Sequence, residues 1–348
     1  MSGTAPSLFL TGGAGFIGSQ LAQLAVRAGH RVTVTTAVNN DVERARCSML
    51  GQAGLLVIVA QLEDRHTLEK AMRGSDAVIH LAAAQHEAHA PETHFRSVNV
   101  EGTRTLLRIA ERVGIRRFVY GSTIGVYGSS ATGELDADSA LAPDNPYGRT
   151  KAEAEGIVRQ YASRVPSCIA RISEVYGPGD LRLLKLFRAI EGGRYVTIGR
   201  GTNEHQVIYV DDLVRGLLAA ARSDRAVGET FVLAGSECLT TDEMASAIGA
   251  AVGRHRRPRH VPMLPFDLAA RFFEASFPRF GLAPPLHRRR LDFFRKSFRF
   301  STEKAARLLD FRAQVSFAEG ARRTAEWYRE NGLLAGSRRP ASDFRPKN

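Results

Sequence analysis

Tryptophan occurs once and cysteine three times in 348 residues. Cys47, Cys168 and Cys238 are far apart and show neither C-x-x-C nor zinc spacing. A disulfide framework is excluded, and reduced, packed thiols in a reducing compartment are expected. No apolar run approaches the roughly 20 residues that cross a bilayer. The opening MSGTAPSLFL has no basic segment leading into a long apolar one, so a cytoplasmic protein is expected. Acidic residues are in deficit, 36 against 48 Lys and Arg, giving a net charge of +12. The excess is densest at Arg254, Arg256, Arg257 and Arg259 and at Arg288, Arg289 and Arg290. No nucleic-acid module accompanies these residues and no aromatics are interleaved as stacking platforms, so no nucleic-acid partner is expected. A solvated basic face, an anionic substrate or an acidic membrane surface is left. His80, His86, His89 and His94 cluster in sequence. Without carboxylates or cysteines at ligand spacing they predict a helix or loop surface and no metal site.

What is present is organised around residues 11–18, T-G-G-A-G-F-I-G. A short apolar run, Ser7-Leu8-Phe9-Leu10, precedes them, and residues 19–27 carry apolar side chains at helical spacing. Strand, glycine turn and helix follow one another. Gly12 allows the tight turn because it has no Cβ to clash at positive φ. Gly15 lets the backbone approach a pyrophosphate, and Gly18 lets helix and strand pack closely. The helix N-terminus then offers unpaired N–H groups to the phosphates. The spacing G-x-x-G-x-x-G is one residue longer at its start than the common dinucleotide fingerprint, and its context predicts dinucleotide binding.

Further strands are expected at 31–36, 55–60, 77–81, 117–120 and 167–172, separated by helical patterns at 64–73, 94–113 and 146–162. The run Leu55 to Ala60 is continuously apolar, as in a strand buried on both faces. Alternation of this kind predicts parallel βαβ units in an α/β, doubly wound parallel sheet, with ligands at the carboxyl ends of its strands. Beyond Gly177-Pro178-Gly179 the alternation weakens. Leu181 to Ile190 reads as helix, 206–210 and 230–233 as strands able to rejoin the sheet, and Thr241 to Val252 as a helix capped by Thr241 or Asp242. Phe266, Ala269, Ala270, Phe273 and Phe277 recur at helical spacing. That amphipathic helix would pack on the domain, line a substrate mouth or lie on a membrane surface. The expected organisation is a dinucleotide-binding domain at 1–177, rejoined by about 205–235. A smaller mixed lobe of 178–204 and 236–334 would bind substrate, and the polar, basic tail 335–348 would be disordered.

Tyr147 and Lys151 lie four residues apart at the start of the 146–162 helix and so share a face. Asn145 is a plausible cap and Pro146 suits the first turn. A phenol ordinarily titrates near 10, and an adjacent ammonium favours the phenolate. The pair is a physical route to a general acid/base acting on a hydroxyl or a carbonyl. Ser122 and Thr123 follow an apolar strand, where a hydroxyl can orient a substrate oxygen beside the tyrosine; turn chemistry is the alternative.

Together these stretches resemble the extended short-chain dehydrogenases/reductases of the NAD-dependent epimerase/dehydratase type. The resemblance is carried by T-G-G-A-G-F-I-G at 11–18, H-L-A-A at 80–83, V-N-V-E-G-T at 98–103, G-S-T-I-G-V-Y-G at 121–128, P-Y-G-R-T-K at 146–151, V-Y-G-P-G at 175–179 and the segment 207–213. It extends to about Leu334 and implies a Rossmann sheet. It implies Tyr147 as acid/base, Lys151 as the lysine holding the nicotinamide ribose, and Thr123 as the residue orienting the reacting hydroxyl. Gly12, Gly15, Phe16, Ile17 and Gly18 match the pyrophosphate loop, Leu81, Ala82 and Ala83 the cofactor lining, and Asn99 an asparagine near the cofactor. A homodimer is implied by the resemblance alone.

Several positions depart from the family pattern. Thr36 stands where NAD-preferring members carry an acidic residue for the ribose diol, and Ala37 follows it. Arg44 and Arg46 are candidates for reaching a 2′-phosphate. Gln61 and Leu62 replace the adenine-side Asp and its neighbour, and the Gln61 amide can still accept a hydrogen bond. The cofactor is thus NAD or NADP. On the substrate side, His205 occupies the place of a diphosphate-gripping arginine, and Glu174 that of an asparagine. A carboxylate there repels a diphosphate; Arg182, Arg200, Arg295 or Arg299 would have to compensate. The expected function is hydride transfer at a secondary alcohol or ketone carbon in a nucleotide-sugar epimerase or dehydratase. A 3β-hydroxysteroid-type dehydrogenase or other ketone reductase is the alternative, and a non-catalytic dinucleotide-binding regulator the lesser one.

Overall fold

The computed structural model of the protein describes residues 5–85, 90–129, 131, 133–277 and 291–335. His86, His89, Arg288 to Arg290 and all of the expected tail except residue 335 lie outside them. In chain order the strands are β1 (Leu8–Thr11), β2 (Val32–Thr36), β3 (Leu56–Val59), β4 (Ala77–His80), β5 (Arg117–Thr123), β6 (Glu134–Leu135), β7 (Ser167–Ile172), β8 (Val175–Tyr176), β9 (Val196–Ile198), β10 (Glu204–His205), β11 (Ile208–Tyr209), β12 (Thr230–Leu233), β13 (Leu239–Thr240), β14 (Arg259–Val261) and β15 (Arg299–Phe300). The helices are α1 (Phe16–Arg27), α2 (Asp41–Gln52), α3 (Arg65–Met72), α4 (Glu92–Arg96), α5 (Gly102–Val113), α6 (Pro146–Tyr161), α7 (Leu184–Glu191), α8 (Val210–Arg222), α9 (Thr241–Ala251) and α10 (Met263–Ser276), then Glu303–Leu309 and Phe317–Glu330.

Seven strands form one parallel sheet in the order β12-β7-β5-β4-β1-β2-β3. Alternate side chains serve opposite faces. Leu8, Leu10, Ile79 and Val119 pack with Leu21 and Ala25 of α1 and Leu213 and Leu217 of α8. Phe9, Val78, Phe118 and Tyr120 pack with α3, α5 and α6 through Leu68, Met72, Leu106, Leu107, Ala154 and Val158. Each fully buried side chain of this kind contributes about 1.5–3 kcal/mol. This is the expected doubly wound α/β sheet. The strand order runs outward in both directions from β1 and β4, so a crevice opens at their carboxyl ends.

Three expectations are corrected. β3 is one of the two edge strands, with Leu56 59% and Val59 64% exposed, and is not buried on both faces. β11 pairs with β8 in a separate two-stranded sheet, and only β12 of the two later segments rejoins the main one. Thr240 caps α9 through a capping box with Glu243, one residue before the expected cap. The sequence reading also missed α2, whose apolar pattern is weak and whose start is fixed by the Asn40 side chain accepting from Glu43 N.

A separate core joins α7, α9 and the helix Phe317–Glu330 through Phe187, Ile248, Ala321 and Tyr328. That helix is tied back to α8 by Asp212, whose carboxylate accepts from Gln314 N and Val315 N, both at 2.8 Å. Among the described residues no helix is long and apolar enough to cross a membrane.

Candidate active site

β1 ends at Thr11, and Gly12 follows at φ +70°. A Cβ on Gly12 would meet Ala82 N at 2.7 Å, and one on Gly18 would lie 2.2 Å from Gly12 O. Side chains are excluded at both positions. Gly13, unremarked in the sequence reading, is as tight: its Cβ would lie 2.0 Å from Val34 Cγ1. Gly15 precedes α1 without a side-chain cap, so the first helical N–H groups open toward the cleft. The residues therefore fit a pyrophosphate, which needs close backbone approach and a helix N-terminus.

A large cleft runs from this turn across the strand ends into the C-terminal elements. Gly12, Gly15, Phe16, Ile17, Gly18, Thr36, Gln61, Leu62, Leu81, Ala82, Ala83, Ser122, Thr123, Tyr147, Lys151, Glu174 and His205 all line it. Asn99 does not. It is buried, and its amide bonds Ala84 N at 2.9 Å, Ala84 O at 3.1 Å and Thr150 Oγ1 at 3.0 Å. It braces the cleft wall from behind.

α6 is launched as the sequence suggests, with Asn145 Oδ1 accepting from Gly148 N at 3.0 Å and Pro146 in the first turn. Such a cap contributes about 1 kcal/mol. Lys151 is buried. Its Nζ donates to Gly121 O at 2.6 Å and sits 4.1 Å from the Tyr120 ring centroid. Burial lowers the ammonium to about 7, and Glu155 opposes that shift. Thr123 ends β5 and caps the short helix Ile124–Tyr127, with Oγ1 accepting from Gly125 N at 3.1 Å. Ser122 is committed elsewhere: its hydroxyl donates to buried Glu155 at 2.7 Å. Of the two hydroxyls, Thr123 is the less buried.

His80 is no surface residue. It is buried between Thr11 Oγ1 at 2.7 Å and Thr103 Oγ1 at 3.0 Å. Desolvation, then the Lys151 charge, holds it neutral, well below the usual imidazole range. No group of three metal-ligating side chains occurs among the described residues.

At the adenosine end, the Thr36 hydroxyl donates to Ala37 O at 2.9 Å. Arg46 Nη1 reaches Ala14 O at 3.3 Å and Nη2 reaches Gly179 O at 2.8 Å, a bridge between the glycine turn and the segment after β8. Arg44 lies near Asp41 at 3.8 Å on the surface. At the other end, Glu174 Oε2 stands 3.9 Å from His205 Nδ1. His205 stacks on Phe293 at 4.4 Å and is held low mainly by burial. Of the four arginines considered against a diphosphate, Arg182 and Arg295 line the cleft and Arg200 and Arg299 do not. Arg182 pairs with Asp180 at 2.9 Å and Arg295 with Asp267 at 2.6 Å. The sequence reading missed Asp180, Lys296 and Glu274 on this wall, because nothing local signals that distant segments converge.

A dTDP-glucose 4,6-dehydratase of Streptomyces niveus is 29% identical over 93% of this chain and 93% of its own length. A 3beta-hydroxysteroid-dehydrogenase/decarboxylase isoform 2 of Arabidopsis thaliana is 26% identical over 94% of this chain and 62% of its own. The crystal structure of UDP-glucuronic acid 4-epimerase from Bacillus cereus in complex with NAD superposes with a TM-score of 0.75, at 22% identity, over 92% of this chain and 98% of that one. The profile of the NAD dependent epimerase/dehydratase family matches residues 8–234. The chain belongs to that family, whose members are enzymes of the extended short-chain dehydrogenase/reductase type.

Proposed function

We propose that the protein transfers a hydride between a nicotinamide cofactor and a secondary alcohol or ketone carbon, on a nucleotide sugar. One observation carries the reading: Tyr147 and Lys151, one turn apart on α6, open onto the same cleft as the glycine turn and Thr123. The bound nicotinamide supplies the hydride acceptor or donor. Tyr147 moves the hydroxyl proton, Thr123 orients the hydroxyl, and the Lys151 cation biases Tyr147 toward phenolate. Ser122 supports Thr123 from the strand. The glycine turn and the α1 N-terminus would hold the cofactor's pyrophosphate, and Leu81, Ala82 and Ala83 would line its seat.

A nucleotide sugar is favoured by the relatives' substrates and by Arg295 and Lys296 lining the cleft, which suit a diphosphate. A 3β-hydroxysteroid-type dehydrogenase is the second reading, favoured by Glu174 and His205 where a diphosphate grip is expected. In this assignment 1–177 with 205–235 holds cofactor, and 178–204 with 236–334 holds substrate. NAD and NADP both suit the adenosine end, since Thr36 offers no carboxylate and Arg46 lines the cleft; comparing their Kd values decides. A homodimer is expected from the family and is read by sedimentation velocity.

The test is a screen with dTDP-glucose, UDP-glucuronic acid and a 3β-hydroxysteroid. Stoichiometric change in nicotinamide absorbance marks net redox. Conversion without net change marks an epimerase or dehydratase. In Tyr147→Phe turnover should fall by about 10²–10⁴-fold. Unchanged turnover sinks the assignment of Tyr147.

A further inference from the structure

Tyr147, Lys151 and Glu155 form one stripe of α6, each four residues from the last. Glu155 is fully buried and accepts four hydrogen bonds. Arg171 Nε and Nη2 of β7 approach its two oxygens at 3.0 and 2.9 Å, Ser122 Oγ of β5 at 2.7 Å, and Arg159 Nη2 at 2.9 Å. The Arg171 side chain is 2% exposed, and its Nη1 donates to Tyr127 OH at 3.0 Å and to Ala137 O at 2.8 Å. Tyr127 closes the short helix that Thr123 caps. One carboxylate thus fastens α6, which carries Tyr147 and Lys151, to the strand end that carries Thr123.

Its charge matters as much as its bonds. Glu155 is ion-paired with buried Arg171, and buried Lys151 lies one turn away on α6, bonded to Gly121 O beside the Ser122 that Glu155 holds. A buried charge survives only with a partner. The other groups facing Lys151 supply none: Tyr120 of β5 is a buried phenol held neutral, chiefly by burial, and His80 of β4 is a neutral imidazole. Tyr147, on the same helix, is the group whose proton the cation is meant to influence.

We infer that Glu155 is a positioning residue of the site: its carboxylate, one turn from Lys151 on α6, favours the ammonium in its buried seat against Gly121 O, and through Ser122 and Arg171 it holds the end of β5 that carries Thr123. The inference rests on the assignment of Lys151 above, yet it concerns a state of the free protein that is measurable without turnover.

The experiment titrates protein labelled with ¹³C at lysine Cε, the Lys151 signal being assigned through Lys151→Arg. In Glu155→Gln the Lys151 midpoint should fall by about one pH unit or more, the lower end of what an adjacent charge moves. Glu155→Asp should restore part of the shift. Glu155→Gln strands the Arg171 guanidinium, so the double variant Glu155→Gln/Arg171→Met is measured beside it, with near-UV circular dichroism reporting the fold. An unchanged Lys151 midpoint in folded Glu155→Gln, or in the double variant relative to folded Arg171→Met, overturns the inference. NADH affinity separates the two readings. A fall of several-fold at pH 8 in Glu155→Gln that recovers at pH 6 supports both. A moved midpoint with unmoved NADH affinity leaves Glu155 in its role and removes Lys151 from the cofactor site.

Discussion

At the scale of single residues, Lys151 carries its charge in a buried seat. Its ammonium lies at about 7 in the folded protein against an ordinary 10.5, because burial strips its water. Below pH 7 both folded and unfolded chains carry the proton, and the folded one bears the whole desolvation cost. Between 7 and 10.5 the folded chain has released the proton and the unfolded chain has not, so stability rises with pH. Lys151→Met should therefore be more stable than the natural protein at pH 6. The expected gain is on the order of 2 kcal/mol once the lost bond to Gly121 O is subtracted; it should shrink as pH rises above 7 and turn into a loss before 10.5, where only the missing bond remains. Urea unfolding across that range checks both the sign and the window. A destabilised variant at pH 6 would mean that the bond and the Tyr120 ring outweigh desolvation.

At the scale of elements, α6 and the turn after β5 set the spacing between Tyr147 and Thr123. Gly148 is what lets them meet. A Cβ there would lie 2.7 Å from Gly125 O and 3.1 Å from Pro143 Cβ, and the first of these is backbone that cannot rotate away. Gly148→Ala should push α6 outward at a cost of about 1–3 kcal/mol. A shift near 1 Å between reacting groups costs about 10²-fold in rate, so kcat should fall far more than NADH affinity. Equal losses in both would place the damage in the cofactor turn instead. The helix itself was readable from Asn145, Pro146 and its periodicity. The need for glycine at 148 was not, because Gly125 and Pro143 become its neighbours only once the chain is folded. The burial of β3 was misread for a related reason. An apolar run reports that a strand exists, whereas its place at the sheet edge is set by strand order.

At the scale of the whole molecule, the C-terminal elements bring Phe293, Arg295, Lys296 and Glu274 to a cleft begun by residues 11–18. Glu274 belongs to α10, whose opposite stripe is apolar and uncovered among the described residues. Leu264, Leu268 and Phe272, spaced by four, are 67%, 58% and 64% exposed. Arg256, Arg257 and Arg259, all exposed, lead into that helix. An apolar stripe with a basic approach is the pattern of a helix lying on an anionic bilayer. Peripheral membrane contact is accordingly proposed. The protein should float with phosphatidylglycerol vesicles at low salt and not with phosphatidylcholine alone. Leu268→Ser/Phe272→Ser should abolish flotation. Failure to float at low salt would remove the proposal, and loss of self-association in the same variant would assign the stripe to a second copy of the chain.

The sequence by itself determined the glycine turn, the alternation of strands and helices, and the Tyr147–Lys151 pair, because each depends on neighbours within a few residues: φ at Gly12, side-chain period, and one turn of helix. Tertiary structure decided which hydroxyl is committed to the interior. Ser122 and Thr123 both follow the β5 strand as candidate hydroxyls and both line the cleft, and only the approach of Glu155 from α6 commits the Ser122 hydroxyl elsewhere. It also decided the charges. Nothing adjacent in sequence reveals that Lys151 and His80 are desolvated together, since burial is a property of packing between β4, β5 and α6 and not of any one of them.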